Sequence, residues 1–89
     1  MLSQTITIPN KLGLHARAAA KFATTAARFS ANIQTGVGER MVDGKSVMSL
    51  MLLAATQGTE LTLTTQGDDQ EQAMQALINL IEDKFGESE

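Results

Sequence analysis

Cysteine, tryptophan and tyrosine are absent from the sequence, and proline occurs once. Without cysteine the chain forms neither disulfides nor thiolate metal sites. With 3% aromatic residues it lacks the stacking platforms that bind single-stranded nucleic acids. No apolar run approaches the roughly 20 residues that span a bilayer. The first residues also lack the basic start and apolar core of a signal peptide, so we expect a cytoplasmic chain without membrane insertion.

Basic side chains are fewer than acidic ones, 7 against 10, which leaves a net charge of −3. Nucleic-acid-binding proteins usually carry a clustered basic surplus, so we expect no nucleic-acid partner. The charges are unevenly distributed, because acids dominate from Glu60 onward while residues 10–45 contain every Lys and Arg except Lys84. The middle of the chain can therefore present a basic face to an acidic partner protein.

The hydrophobic periodicity and the turn residues of the 89-residue chain predict one domain over residues 1–89. Its elements are predicted as a strand over residues 2–8, a helix over 16–29, a hairpin of strands over 31–35 and 40–42, a helix over 47–55, a strand over 59–66 and a helix over 70–85. The order β-α-β-β-α-β-α with a hairpin predicts an α+β fold in which helices cover one face of an antiparallel sheet.

Within these elements the apolar spacing predicts the buried sides. In the first helix the positions expected to face the core are Ala19, Phe22, Ala23 and Ala26. In the last strand Leu61 and Leu63 share one face, and Asp69 is expected to cap the last helix.

The chain contains a single histidine, His15, directly before the alanine-rich start of the first helix. We therefore expect His15 at or beside the helix N-cap. The backbone N–H groups of the first turn lack intrahelical partners, and the helix dipole there favours an anion. The N–H groups of Ala16, Arg17 and Ala18 are thus candidates for binding phosphate.

The dipole at this helix end also disfavours the imidazolium form, and a neutral ring nitrogen is a nucleophile. The guanidinium of Arg17, in the same first turn, can hold a phosphoryl group on His15 by charge-assisted hydrogen bonds. The surrounding alanines predict an open site, and the segment around His15 contains no carboxylate. The alternative is a structural histidine at a helix end, beside a solvated arginine.

Two segments resemble the histidine-containing phosphocarrier protein (HPr) family of the bacterial phosphoenolpyruvate-dependent phosphotransferase system. GLHARAAAKF, which includes His15 and Arg17, is similar to the family's active-site segment. DGKSVMSLMLLAATQGTEL is similar to its second-helix region and places Ser46 at the regulatory serine. The resemblance implies an open-faced β-sandwich, with a four-stranded antiparallel sheet and three helices on one face.

The resemblance further implies that His15 accepts a phosphoryl group on Nδ1 from enzyme I and passes it to an EIIA-type acceptor. The chain is then a monomeric carrier rather than an enzyme, and it needs neither a metal nor a cofactor. Ala18 stands where family members usually have proline, which stiffens a first helical turn. The version NKLGLHARAAAKF resembles the nitrogen-related branch (NPr), and the sequence leaves the sugar and nitrogen branches both open.

Ser46 is expected to be the N-cap of the second helix. The resemblance adds regulation, because in many bacteria an HPr kinase/phosphorylase phosphorylates the equivalent serine. Adaptable methionine side chains suit a surface that meets several partners. We therefore predict a docking surface, rimmed by Lys21, Arg28 and Lys45, whose members are Ala20, Thr24, Val47, Met48 and Met51.

Two other functions are open to a chain of this kind. One is a regulatory binding module, in which phosphorylation of Ser46 controls a transcription factor or an enzyme and His15 is incidental. The pairing of His15 with Arg17 favours the carrier, because a pure regulator has no need of the histidine. The other is a hydrolase, which the absence of a second histidine, of cysteine and of a carboxylate in the segment around His15 argues against.

Overall fold

The computed structural model describes every residue from Met1 to Glu89. In chain order its strands and helices are β1 (Leu2–Thr7), α1 (Ala16–Ala27), β2 (Asn32–Val37), β3 (Arg40–Asp43), α2 (Val47–Leu52), β4 (Glu60–Gln66) and α3 (Gln70–Glu82). The strands form one sheet in the spatial order β1-β4-β2-β3, and all neighbouring strands are antiparallel. The predicted α+β fold and element order are confirmed.

The core lies between this sheet and the helices. On β4, Leu61 and Leu63 are fully buried, whereas the alternate residues Thr62 and Thr64 are half-buried. Ile33 on the neighbouring strand β2 is also fully buried. This alternation shows that one face of the sheet packs against the helices. The predicted apolar side of α1 is also confirmed, since all its members are buried: Ala19, Phe22, Ala23 and Ala26.

All three helices end earlier than predicted. The first ends at Ala27 instead of Phe29, the second at Leu52 instead of Ala55, and the third at Glu82 instead of Phe85. After the second helix Ala54 has a φ of 51°, and after the third both Lys84 and Phe85 have a φ of 56°. A left-handed residue cannot continue a right-handed helix, so these backbone angles terminate the second and third helices where apolar periodicity does not.

The left-handed turn after α3 sets the path of the C-terminal segment. Two consecutive non-glycine residues in this conformation cost roughly 1–2 kcal/mol each. Full burial of the Phe85 ring offsets this cost. The ammonium group of Lys21 on α1 also donates a 2.7 Å hydrogen bond to the Phe85 carbonyl. The residues after Phe85 are thereby directed back over the start of α1.

Asp69 occupies the predicted N-cap position of α3, but its side chain makes no capping hydrogen bond. Its carboxylate instead accepts 2.8 Å hydrogen bonds from the backbone N–H groups of Ser30 and Ala31, which connect α1 to β2. The bond from Ser30 is the main cause that lowers the pKa of Asp69, and desolvation partly opposes it. The side chain therefore joins two loops that are distant in the sequence.

Replacing Asp69 with asparagine is expected to lower the Tm at neutral pH, because an amide presents one N–H₂ group to these two donors. A carboxyl group whose pKa is lowered by folding stabilises the protein above its unfolded-state pKa and loses this effect as pH falls through the folded-state pKa. The Tm difference between Asp69→Asn and the parent should thus shrink in acid. Thermal unfolding followed by circular dichroism measures it, with the exposed Asp68→Asn as control. A Tm difference independent of pH would contradict the assignment.

Candidate active site

A short loop between β1 and α1 places His15. Gly13 in this loop has a φ of 67°, and a Cβ atom there would lie 2.4 Å from the carbonyl oxygen of Ala55. Only glycine satisfies both constraints. The next residue, Leu14, is buried and donates its N–H to the same carbonyl over 2.9 Å. The loop is thus fixed against the segment after α2, and His15 follows at a defined position.

His15 is the N-cap residue of α1, as predicted, with φ −74° and ψ −180°. The first hydrogen bond of the helix joins the N–H of Ala19 to the His15 carbonyl over 2.8 Å. The N–H groups of Ala16, Arg17 and Ala18 precede it and have no intrahelical acceptor. Ala16 and Arg17 are exposed, whereas Ala18 is fully buried. The helix therefore presents backbone donors beside the imidazole.

The imidazole is covered on one side by Glu87, so the site predicted to be open is partly closed by a carboxylate from a distant segment. The Nε2 atom of His15 contacts Oε2 of Glu87, and their side chains are 24% and 11% exposed. The buried Asn10 donates its side-chain amide to the other carboxylate oxygen over 3.0 Å and to the Gly13 carbonyl over 2.8 Å. The three side chains form a chain of hydrogen bonds, which we call the Asn10–Glu87–His15 chain.

Glu87 is ionised more readily than an ordinary glutamate. The bond from Asn10 is the main cause that lowers the pKa of its carboxyl group, while partial burial acts in the opposite direction. His15 and the nearby charge of Arg17 lower this pKa further. The side chain therefore faces His15 as a carboxylate at neutral pH.

Backbone contacts hold the C-terminal segment in this place. The N–H of Lys11 donates to the Glu89 carbonyl over 2.6 Å, and the N–H of Glu87 donates to the Lys84 carbonyl over 2.9 Å. The side chains of Lys11 and Glu89 also form an exposed ion pair, which adds little stability. Because 72 residues separate His15 from Glu87, no local pattern in the sequence predicts their contact.

Arg17 extends from the same helical turn into an open groove of about 550 Å³, lined by residues 11, 12, 17 and 86–89. Its side chain is exposed, and its guanidinium makes neither a hydrogen bond nor an ion pair in this structure. The structure therefore leaves all its donors available beside the carboxylate of Glu87.

Ser46 is the N-cap of α2, and its hydroxyl accepts the N–H of Ser49 over 3.2 Å, which confirms the predicted cap. The helix that follows exposes apolar side chains, as predicted for the docking surface. Met48 is 75% and Met51 46% exposed, and Met51 borders a hollow that also contains His15. Every residue assigned to the docking surface is exposed: Ala20, Thr24, Val47, Met48 and Met51.

Two exposed leucines, Leu12 and Leu52, were missed by the sequence reasoning although each is 64% exposed. Leu12 lines the hollow itself, and Leu52 follows Met51 at the end of α2. Two of the predicted rim cations are engaged in the fold, because Lys21 donates to the Phe85 carbonyl and Lys45 donates to the Phe29 carbonyl over 2.8 Å.

Comparison with known proteins identifies the family of this chain. Residues 2–83 match the family model described as "PTS HPr component phosphorylation site". The chain is 51% identical over 89 residues to the phosphocarrier protein HPr of Neisseria meningitidis serogroup A, with 100% of both chains covered. This chain belongs to the HPr family of the phosphotransferase system.

Solved structures give the same result. The fold matches the crystal structure of HPr-C-His from Thermoanaerobacter tengcongensis with a TM-score of 0.96 at 47% identity, and the match covers 100% of both chains. Identity to the phosphocarrier protein NPr of Shewanella violacea is 41% over 87 residues, which cover 98% of this chain and 96% of that one. The chain is thus more similar to the relative named HPr than to the one named NPr.

As an HPr-family phosphocarrier, the chain is phosphorylated on histidine and acts as a carrier rather than a catalyst. No helix is long and apolar enough to cross a bilayer. No group of three His, Asp or Glu side chains is placed to hold a metal ion.

Proposed function

We propose that His15 is the histidine that accepts the phosphoryl group from enzyme I and yields it to an EIIA-type acceptor. The observation that carries the proposal is the position of His15 at the N-cap of α1, next to backbone donors without intrahelical partners. The proposal places the carrier in the cytoplasm as a monomer, without a nucleic-acid partner, a metal or a cofactor.

The arrangement suits a transferable phosphoryl group. The N–H groups of the exposed Ala16 and Arg17, together with the helix dipole, offer partial positive charge to phosphoryl oxygens, whereas Ala18, the third predicted donor, is fully buried. The guanidinium of Arg17 adds fixed charge that a phosphate can engage through two parallel hydrogen bonds. Positioning and charge stabilisation are the main requirements of phosphoryl transfer, and a partner enzyme can supply the rest.

A phosphorylation assay tests the proposal directly. The protein is incubated with phosphoenolpyruvate and catalytic enzyme I from an HPr-containing bacterium, and its mass is measured before and after acid or alkali treatment. We expect a single added phosphoryl group that is labile in acid and stable in alkali. A protein whose mass does not change would contradict the proposal.

The docking surface is proposed as the site where enzyme I and the acceptor bind. Met51 borders the hollow at His15 and Met48 is exposed on the same helix, so a partner seated there brings its own reacting group near the imidazole. Unbranched, polarizable methionine side chains adapt to different partner surfaces, which suits a carrier with more than one partner.

Ser46 is proposed as a regulatory phosphorylation site for an HPr kinase/phosphorylase. Ser46 is half-buried and directly precedes the exposed Val47 and Met48. A phosphoserine carries close to −2 charge at neutral pH, and the N-terminal end of a helix accepts negative charge. Phosphorylation would therefore leave the helix intact and place this charge beside the docking surface.

Ser46→Asp is expected to weaken binding to enzyme I about tenfold while Tm stays unchanged or rises slightly. Aspartate is a good N-cap and interacts favourably with the helix dipole, so the fold accepts it. A partner must desolvate the new charge or face it with its own acids, and both reduce affinity.

Titration calorimetry at low and high salt measures this effect and separates its causes. Repulsion between charges weakens as salt rises, whereas a desolvation cost persists. The matched control is Ser46→Asn, which preserves a good N-cap without the charge. If Ser46→Asp binds as tightly as Ser46→Asn at both salt concentrations, Ser46 is a structural cap without a regulatory role.

A further inference from the structure

Glu87 has no part in the function proposed above, although its carboxylate is the only side-chain group that forms a hydrogen bond with the His15 ring. A carboxylate that faces a ring nitrogen fixes the proton on that nitrogen, because a carboxylate only accepts hydrogen bonds. We therefore expect the proton of neutral His15 on Nε2. The other ring nitrogen, Nδ1, makes no hydrogen bond and retains its lone pair.

We propose that Glu87 is a positioning residue for phosphoryl transfer: it holds the Nε2–H form of His15, so that Nδ1 is the nucleophile, and it balances the positive charge that the ring acquires. This inference rests on the proposed role of His15. The same principle operates wherever a buried acid orients a histidine and stabilises its imidazolium form.

The transfer step can be written with its atoms and electrons in balance. The Nδ1 lone pair forms a bond to phosphorus, while the bond from phosphorus to the donor atom of enzyme I breaks and its electron pair returns to the donor. The Nε2 proton stays on the ring, between Nε2 and Glu87. The ring thus becomes cationic as the N–P bond forms, and the carboxylate opposite stabilises this charge.

The position of the carboxylate avoids conflict with the incoming phosphoryl group. The two ring nitrogens point away from each other, so Glu87 lies on the side remote from the bond that forms. One of its oxygens is held by the buried Asn10, which is itself fixed to the Gly13 carbonyl. The donors available to the phosphoryl group, from Arg17 and the helix backbone, remain free.

The lowered pKa of the Glu87 carboxyl supports this role, since a group that is ionised at neutral pH can balance a developing positive charge. The anchored path of the C-terminal segment supports it as well. A side chain attached to a loose terminus would lose more conformational entropy on reaching the ring. Here Phe85 and the backbone of Glu89 fix the residues on both sides of Glu87.

The first arm of the test uses the protein alone, labelled with ¹⁵N at histidine. NMR spectra of the imidazole should show one neutral tautomer, with its proton on Nε2 and protected from exchange with water. In Glu87→Ala this exchange should accelerate at least about tenfold, because the acceptor that shields the proton is lost. A parent protein with its proton on Nδ1, or equal exchange in both proteins, would overturn the inference independently of enzyme I.

The second arm measures single-turnover phosphorylation by enzyme I and phosphoenolpyruvate. Glu87→Gln lacks the charge and has one oxygen where Glu87 accepts from both Asn10 and His15. Its rate constant at saturation should therefore fall at least about tenfold with the half-saturating concentration unchanged. Glu87→Asp should recover part of the rate. Glu39→Gln, which removes an exposed carboxylate from the turn between β2 and β3, is the control and should behave as the parent.

These outcomes separate the two proposals. If the parent protein is not phosphorylated, the assignment of His15 as acceptor fails. If the parent is phosphorylated and Glu87→Gln is as fast as Glu39→Gln, the role of Glu87 fails while that of His15 stands. A changed half-saturating concentration with an unchanged rate constant would show that Glu87 contributes to docking instead, and this also overturns the inference.

Discussion

His15→Ala is expected to abolish phosphorylation by enzyme I and phosphoenolpyruvate. The chain has no second histidine and no cysteine, so no other side chain is a comparable neutral nitrogen or thiol nucleophile. The measurement is the mass of the intact protein after incubation, compared with the parent under the same conditions. An acid-labile phosphoryl group on His15→Ala, in the same amount as on the parent, would contradict the assignment.

The same variant should remain folded, which makes the loss of phosphorylation interpretable. The N-cap role of His15 uses its backbone carbonyl, which accepts the N–H of Ala19, and no side-chain capping bond is lost. The contact with Glu87 is lost, but that side chain keeps its bond to Asn10 and gains access to water. Circular dichroism should therefore show an unchanged spectrum and a Tm within a few degrees of the parent's.

The features that sequence predicts here are local. Apolar periodicity predicts the strands and the buried sides of α1 and β4, since a helix or a strand repeats its side-chain direction at fixed intervals. The N-cap positions of His15 and Ser46 are also local, because a glycine or polar residue followed by good helix formers marks a helix start. Both positions are confirmed.

The features that sequence fails to predict arise from contacts between distant segments. Aspartate is a residue type that favours helix caps. The carboxylate of Asp69 nevertheless binds the N–H groups of the loop before β2, which only the tertiary fold brings within its reach. Glu87 lies in the polar segment of residues 86–89, whose composition indicates solvent-exposed side chains. Its approach to His15 depends on the left-handed turn at Lys84 and Phe85, which no residue preference indicates.

Arg17→Ala is expected to slow phosphoryl transfer by about ten- to a hundredfold with little change in Tm. The exposed guanidinium makes no hydrogen bond or ion pair in the unphosphorylated protein, so its removal costs the fold little. In the transfer step it would face a phosphoryl group that carries more negative charge than any group now in the groove. A charge-assisted hydrogen bond contributes roughly 1.5–3 kcal/mol, and each 1.4 kcal/mol or so corresponds to tenfold in rate.

Two further variants test whether the effect is specific to the Arg17 guanidinium: the conservative Arg17→Lys and the charge-matched control Arg40→Ala. Lysine keeps the charge but lacks the planar pair of donors, so Arg17→Lys should recover only part of the rate. Arg40→Ala removes the same charge from an exposed position on the edge strand β3 and should transfer as fast as the parent. Rapid-quench kinetics with enzyme I at several concentrations separates the transfer rate constant from binding. If Arg17→Ala and Arg40→Ala show equal rate constants, Arg17 does not hold the phosphoryl group, and the helix N-terminus must stabilise it without that guanidinium.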